Sequence, residues 1–146
     1  MSRFMMLIVL ILVLFVVPGV VFSQEIPILL AMGDEAYSVF DNKLALEYYS
    51  KILAQDSTNY EALWKTSRAY VDVGETLPNA EQRKVYYKNA EKAALKATEL
   101  NPEGAKGFLF LSVALGRVAL DAGKKEQVQM SKDVKAAVDK SLALDP

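Results

Sequence analysis

Histidine and cysteine are both absent from this chain of 146 residues, which limits the chemistry that its side chains can perform. Their absence excludes a thiolate nucleophile, an imidazole base and a Cys/His zinc site. Carboxylates and lysines remain, but Glu61, Asp72 and Lys106 have no spacing that is typical of an active site. We therefore expect no enzymatic activity, no cofactor and no bound metal.

Basic and aromatic side chains support a different chemistry, the recognition of a peptide. Arg and Lys grip carboxylates, and an apolar floor holds the side chains of a ligand. Arg68, Lys106 and Arg117 suit the first role, and Tyr37 and Trp64 suit the second. If the helices that carry them form a repeat, one groove is lined by nine residues: Asp34, Tyr37, Glu61, Trp64, Arg68, Asp72, Lys106, Leu109 and Arg117.

These residues also have explanations that need no ligand. Arg68 and Asp72 are four residues apart, so an ion pair on the surface of a helix explains both. Trp64 is the only tryptophan, and packing between repeats explains a large ring next to Leu63. Peptide recognition and structural packing are therefore alternative interpretations of the same positions.

Six helical stretches position these residues. From Glu25 onward no strand-like alternation exceeds four residues, and Gly and Pro fall where helices would start or stop. Start signals are the capping boxes that begin at Thr58 and Asn79, and the pair Asn101 and Pro102. The predicted helices are residues 26–40, 42–55, 59–73, 80–100, 103–122 and 125–144.

The helices repeat as hairpins. Ala45 recurs as Ala90, and Ile52 recurs as Ala97 and then Ser141, at intervals of 45 and 44 residues. Ile52, Ala97 and Ser141 are each followed, four residues later, by an Asp or Asn at a turn. This periodicity predicts an all-α solenoid of three antiparallel helical hairpins, with repeats at about 25–57, 58–102 and 103–146 in a domain of residues 24–146.

Residues 59–74 resemble the first helix of a tetratricopeptide repeat (TPR), with Ala69 and Tyr70 at packing positions and Gly74 at the turn. Ala90 and Ala97 are similar to the alanines of its second helix. The repeats here are elongated, since an ordinary one has about 34 residues. The wider superfamily grips a C-terminal carboxylate with Lys and Asn, and because Asp34 and Arg68 stand at the matching places we expect no binding of chaperone tails.

Two segments indicate a more specific family within the tetratricopeptide repeat proteins. Residues 63–70 and 112–117 are similar to bacterial relatives of the regulator of microtubule dynamics family. The resemblance implies the helical scaffold. The microtubule association of eukaryotic members is not expected for an exported chain.

The N-terminal residues have the layout of a signal peptide. One cation, Arg3, precedes an unbroken apolar run over residues 4–17 and a helix breaker at Pro18. Val21 and Ser23 occupy the −3 and −1 positions of a cleavage site. We expect residues 1–23 to be removed and the domain to be secreted or periplasmic. The alternative is an uncleaved anchor in the inner membrane, because residues 4–22 approach the length of a membrane span.

The expected partner is a protein or peptide. With 17 basic and 18 acidic residues, the charge balance argues against nucleic-acid binding, and the membrane enters only through an uncleaved leader. The first functional class is an interaction scaffold that binds a peptide or a partner helix in the concave groove. The alternative is a structural subunit of an envelope complex that docks through its last repeat.

The last predicted helix supports that alternative. It carries Val128, Val134, Val138, Leu142 and Leu144 around much of its circumference, and the chain stops at a turn that normally leads into a further repeat or cap. We expect apolar area on its outward flank, a native reading frame that continues or a partner that covers this end, and possible self-association through this helix.

Overall fold

The computed structural model of the chain describes residues 18–120 and 122–146, with side chains from Glu25 onward. Six helices and no strands make up this part of the protein. They are α1 (Pro18–Ser38), α2 (Asn42–Gln55), α3 (Tyr60–Glu75), α4 (Ala80–Leu100), α5 (Ala105–Ala119) and α6 (Lys124–Leu144). The hydrophobic run at residues 4–17 lies outside the described residues. No helix within the described ranges has both the length and the apolar character needed to cross a membrane.

Helix α1 begins earlier than the sequence predicts. Its described part includes Pro18, which was expected to break a helix, and starts eight residues before the predicted start at residue 26. Pro27 lies inside α1 and cannot donate to the carbonyl of Ser23, so the helix loses one backbone hydrogen bond there. The predicted cleavage bond, between Ser23 and Gln24, therefore lies inside α1 next to this weakened turn.

The helix starts differ in detail from the predicted caps. Asn79 caps α4, as predicted, by accepting from the Gln82 N–H at 3.0 Å. At α3 the cap is Asn59, whereas Thr58 donates to Asp56 in the preceding turn.

Helix α5 starts at Ala105 with Gly104 as its cap, so the prediction of an Asn101 cap is wrong. Asn101 instead ends α4. Gly104 and Gly107 make room for Tyr60, whose ring would meet any Cβ at Gly104. The Tyr60 hydroxyl in turn accepts a 3.0 Å hydrogen bond from the Gly107 N–H. This tertiary contact, rather than the local signal, determines where α5 begins.

The core consists of clusters that run along the stack of hairpins. One joins α1, α2 and the start of α3 around Tyr49 and Ile52, both fully buried. Another joins α4, α5 and α6 around Tyr87, Leu111 and Met130. Between them, α3 packs closely on α4 and α5 through small residues. Each hairpin thus contacts its neighbours along the chain, as in a solenoid.

Candidate functional site

Helices α1, α3 and α5 are the first helices of the three hairpins, and we call the side that they share the A-helix surface. Helix α3 lies at its centre. Glu61, Trp64, Arg68 and Asp72 follow one another at intervals of three and four residues, so they share one side of this helix. Side chains of α1 and α5 meet that side from its two flanks.

A buried lysine lies at the junction of α1 and α3. Lys65 is only 5% exposed, and its Nζ lies 2.6 Å from Asp34 Oδ2 and 2.6 Å from Glu61 Oε1. The Tyr49 hydroxyl of α2 donates to the other Asp34 oxygen at 2.8 Å. Asp34 and Glu61, predicted to face a ligand, therefore neutralise a cation that a protein interior would otherwise reject.

These contacts shift the titration of two groups. Burial opposes the charged form of Asp34, but hydrogen bonds from Lys65 and Tyr49 outweigh it and lower the pKa of the carboxyl. Burial, together with the bond to Asp34, raises the pKa of the Tyr49 phenol above its ordinary value. The cluster therefore keeps the Asp34 carboxylate beside a neutral Tyr49 phenol at neutral pH.

An arginine and three aromatic rings form a second cluster, which we call the aromatic–arginine cluster: Tyr37, Trp64, Arg68 and Phe110. The guanidinium carbon of Arg68 lies 3.4 Å from the centroid of the Tyr37 ring and 5.3 Å from that of Trp64. Trp64 stacks on Phe110 of α5 with ring centroids 5.4 Å apart and planes 7° apart. These contacts join α1, α3 and α5 through partly exposed side chains.

The expected ion pair between Arg68 and Asp72 does not form within the described residues, because the guanidinium lies on Tyr37 instead. Asp72 lies close to the Tyr37 hydroxyl. Burial, with the nearby charge of Glu75, raises the pKa of the Asp72 carboxyl, and the interaction with Tyr37 only partly opposes this. Burial likewise raises the pKa of Tyr37.

The remaining predicted residues lie on α5, outside both clusters. Arg117 pairs with Glu75 of α3, while Lys106 and Leu109 are exposed to solvent. Phe110, which follows the predicted Leu109, is the α5 residue that meets Trp64. Leu109 precedes this contact by one residue and faces solvent.

Sequence reasoning missed two members of these clusters, Lys65 and Phe110. The signal for Lys65 was its place four residues after Glu61, a spacing at which opposite charges pair on a helix. No comparable local signal marks Phe110, because its contact with Trp64 crosses between helices.

A shallow cavity of about 650 Å³ lies on the other side of α3, between α2 and α4. Its floor includes Tyr70 and Val73, and Tyr86 forms a wall. Tyr70 and Tyr86 meet edge to face, with centroids 5.7 Å apart. Both rings belong to the second hairpin, where they face α2 across the cavity, and they lie away from the A-helix surface.

Three stacked helical hairpins, with first helices on one side and close alanine contacts behind them, define a TPR-like α-solenoid. Two solved structures share this fold. The Arabidopsis OM64 TPR domain is 16% identical with a TM-score of 0.64, and the match covers 86% of each chain. The first TPR of Spaghetti (RPAP3), bound to the HSP90 peptide SRMEEVD, is 18% identical with a TM-score of 0.65, covering 85% of this chain and 84% of that one.

The family is also established. The family model of Regulator of microtubule dynamics protein 1-3 matches residues 29–146, and the chain belongs to this family. Regulator of microtubule dynamics protein 3 of Rattus norvegicus is 25% identical over 135 residues, which cover 84% of this chain and 26% of that protein. The Bos taurus protein of the same name is 31% identical over 84 residues, 58% of this chain and 18% of the relative. The chain thus spans about a quarter, or less, of the length of these curated relatives.

Proposed function

We propose that this protein is an exported, non-catalytic scaffold that binds a peptide or a partner helix across the A-helix surface. The observation that carries this proposal is the state of Arg68. Its guanidinium rests on aromatic rings, it has no ion-pair partner among the described residues, and its buried Nε–H has no acceptor there. The Nε–H itself is buried, but the side chain as a whole is only half-buried, so a ligand can approach this cation from the A-helix surface.

The charges around Arg68 support this assignment. Lys65 is held by two carboxylates, and Arg117 by Glu75. Arg68 and Lys106 are the cations of the predicted set that the described residues leave without an ion pair. A partner that places a carboxylate or a backbone carbonyl at Arg68 would satisfy its donors with charge-assisted hydrogen bonds.

The rings beside Arg68 define the rest of the ligand. Trp64 and Phe110 present a flat, partly exposed aromatic surface on which an apolar side chain can pack. We therefore propose a peptide segment that combines an apolar residue with a carboxylate. The fold supports this, since the Spaghetti TPR is a peptide-bound structure. A chaperone tail is a poor candidate here, because Asp34 is committed to Lys65.

Trp64 supplies the test, because it is the only tryptophan and lies in the proposed site. The full chain is screened against a peptide array, and the strongest ligands are titrated by tryptophan fluorescence. We expect binding to change Trp64 emission and Arg68→Gln to weaken it at least tenfold. The matched control is Lys84→Gln, an exposed cation on α4, which should leave affinity unchanged. Peptides that bind equally well to Arg68→Gln, without a change in emission, would place the site elsewhere.

Export is the second part of the proposal. It rests on the order of cation, apolar run and small residues up to Ser23. The missing backbone hydrogen bond at Pro27 makes this turn easier to open for a peptidase. Mass spectrometry after expression in a secreting Gram-negative host should show the loss of residues 1–23, whereas an intact Met1 in the membrane fraction would favour the anchor.

A second candidate function, a structural subunit of an envelope complex, is favoured by one observation. Val128, Val138 and Leu142 are exposed together on α6. The two functions are compatible, since they use different surfaces.

A further inference from the structure

We propose that copies of this chain associate head to tail, with the exposed apolar face of α6 in one copy packed against the exposed apolar face of α1 in the next. This inference goes beyond peptide binding, because it concerns the two ends of the stack rather than the A-helix surface. Helices α6 and α4 are equivalent, as are α1 and α3, and a face that is covered in α4 and in α3 is exposed in α6 and in α1.

The face of α6 is equivalent to a face of α4 that another helix covers. With the repeat interval of 44 residues, Val138 corresponds to Ala94 and Leu142 to Thr98. Ala94 is fully buried in the cluster that α4 forms with α5. Thr98 also faces α5, because a Cβ added at Gly107 would lie 3.4 Å from its methyl group.

The α6 counterparts have no such cover within the described chain. Val138 is 36% exposed and Leu142 is 58% exposed. Both are larger and more apolar than Ala94 and Thr98, which is the reverse of what a solvent-facing position requires. In the second hairpin, this face of α4 packs against α5, the first helix of the following hairpin. The third hairpin carries the same face on α6, but no described helix packs against it.

The register of α1 follows from α3. An offset of 34 residues aligns Leu29 with Leu63 and Gly33 with Ser67, and all four are buried. The same offset places Asp34 against Arg68 on the A-helix surface. Helices α1 and α3 therefore present equivalent faces at these positions.

The α1 face is the complement of the α6 face. Ile28 corresponds to Ala62 and Met32 to Thr66. Ala62 packs against the preceding hairpin and is fully buried, and Thr66 is buried as well. Ile28 is 59% exposed and Met32 is 42% exposed. Helix α1 thus carries the same face that α3 packs against the hairpin before it. No helix of the described chain packs against this face of α1.

The contacts inside the chain identify a second copy as the occupant of both faces. The α6 face matches the face of α4 that packs on α5, and the α1 face matches the face of α3 that packs on the first hairpin. Charge agrees with this pairing: α6 contains five lysines against three acidic residues, whereas α1 contains no Lys or Arg. On α6, Lys135 lies on the same side as Val138 and Leu142 and pairs with Asp139 at 2.5 Å. On α1, Asp34 is bound to Lys65, so Glu35 is the carboxylate beside Met32 that favours contact with the lysine-rich helix.

Such a contact is heterologous, because it joins different surfaces of the two copies. It does not close at the dimer, so it generates longer assemblies as concentration rises. The row of first helices would then continue from one copy to the next, in the manner of the contacts between hairpins within a chain.

A complementation experiment tests this arrangement directly. Met32→Glu blocks the α1 face and Leu142→Glu blocks the α6 face, and both positions are exposed, so each variant should fold like the wild type by circular dichroism. We expect sedimentation to show concentration-dependent assembly of the full wild-type chain and monomers for each variant alone. The 1:1 mixture should give a dimer, because one open face of each kind remains. Val85→Glu, at another exposed apolar position, should assemble like the wild type.

Other outcomes overturn the proposal. A monomeric wild type at millimolar concentration, a mixture of the two variants that stays monomeric, or assembly that Met32→Glu leaves intact would each contradict head-to-tail packing. The last result, together with loss in Leu142→Glu, would indicate a symmetric α6 contact or a different partner protein for this helix.

Cysteine cross-linking gives an independent reading, since the chain has no cysteine. Copies with Met32→Cys mixed with copies with Leu142→Cys should form a disulfide-linked dimer, whereas neither should link to itself. Asp133→Cys, an exposed position on the opposite side of α6, is the matched control and should not link to Met32→Cys. Self-linkage of Leu142→Cys, or equal linkage of the control, would refute the arrangement. Peptide binding at Trp64 is read separately, so failure of one proposal leaves the other testable.

Discussion

Lys65 shows how single residues stabilise the A-helix surface. An ammonium that is almost fully buried is tolerated because Asp34 and Glu61 both lie 2.6 Å from it. Removing one partner of such a group leaves charge that is only partly compensated. Since Asp34 also accepts from Tyr49, it links all three helices of the first junction.

The first prediction concerns Asp34→Asn. The pKa of Asp34 is lowered in the folded state, so its ionised form stabilises the fold above the ordinary value of 3.8, and this contribution is lost as pH falls through the folded-state pKa. We expect the variant to have a lower Tm than the wild type at pH 7 and a difference that shrinks towards pH 3 and below. Thermal melts across this range are the measurement, with Glu47→Gln, an exposed carboxylate on α2, as the control. A pH-independent difference would contradict the assignment.

Asp72→Asn should behave in the opposite way. Burial raises the pKa of Asp72 in the folded state, so ionisation destabilises the fold progressively as pH rises from the ordinary value of 3.8 through the raised folded-state pKa, and the penalty is absent below 3.8. We expect the amide to raise Tm near neutral pH and to have no effect in acid. Urea unfolding at pH 7 and at pH 3 checks this. A lower stability at pH 7 would mean that the carboxylate makes a favourable contact in solution.

Several residues of the candidate site follow from the sequence, and others do not. Trp64, Arg68 and Tyr37 were predicted from helical spacing and do lie together. Phe110 was not predicted, because its contact with Trp64 depends on how α5 rotates against α3. Periodicity determines the side of a helix to within about one residue, which is too coarse to choose between Leu109 and Phe110.

At the scale of helices, small residues decide how closely the hairpins pack. Ala90 and Ala97 of α4 are fully buried, in the positions that the repeat assigns to close helix contacts. The sequence predicts this because alanine recurs there at the repeat interval. Helix bounds are predicted almost as well, with α2 and α4 matching at both ends, whereas α5 begins later because Tyr60 occupies the space beside Gly104.

The third prediction is that Ala90→Leu and Ala97→Leu each destabilise the fold. Extra methyl groups in a close-packed contact force the helices apart, at a typical cost of about 1–3 kcal/mol. This is a large part of the stability of a small domain. Urea unfolding of each variant is compared with that of Ala143→Leu, an exposed alanine on α6, which should be nearly neutral. Unchanged midpoints for both buried positions would show that the repeat register is wrong.

At the scale of the whole molecule, the helices of the solenoid differ in how many of their residues are buried. Helix α3 lies between two hairpins and buries nine residues. Helix α6 buries only Met130, Ala137 and Ser141. The sequence predicts this asymmetry, because apolar residues are spread widely around α6. It could not show which occupant completes the end, since that depends on how two folded surfaces match.

The last prediction is a gradient of hydrogen exchange along the chain. Local opening is governed by the contacts that cover an element, so a helix with few buried residues exchanges faster than one covered on both sides. At low protein concentration we expect residues 125–146 to exchange faster than residues 59–100, measured by mass spectrometry of peptic fragments.

Head-to-tail assembly adds cover to α6 and α1 but none to α3. A higher concentration should therefore slow exchange in α6 and in the described part of α1, and leave the middle hairpin unchanged. Leu142→Glu should abolish this protection in both helices, because no copy then has an open α6 face. If α6 is as protected as α3 in dilute solution, its exposed apolar face does not weaken it, and the end of the solenoid is stable alone.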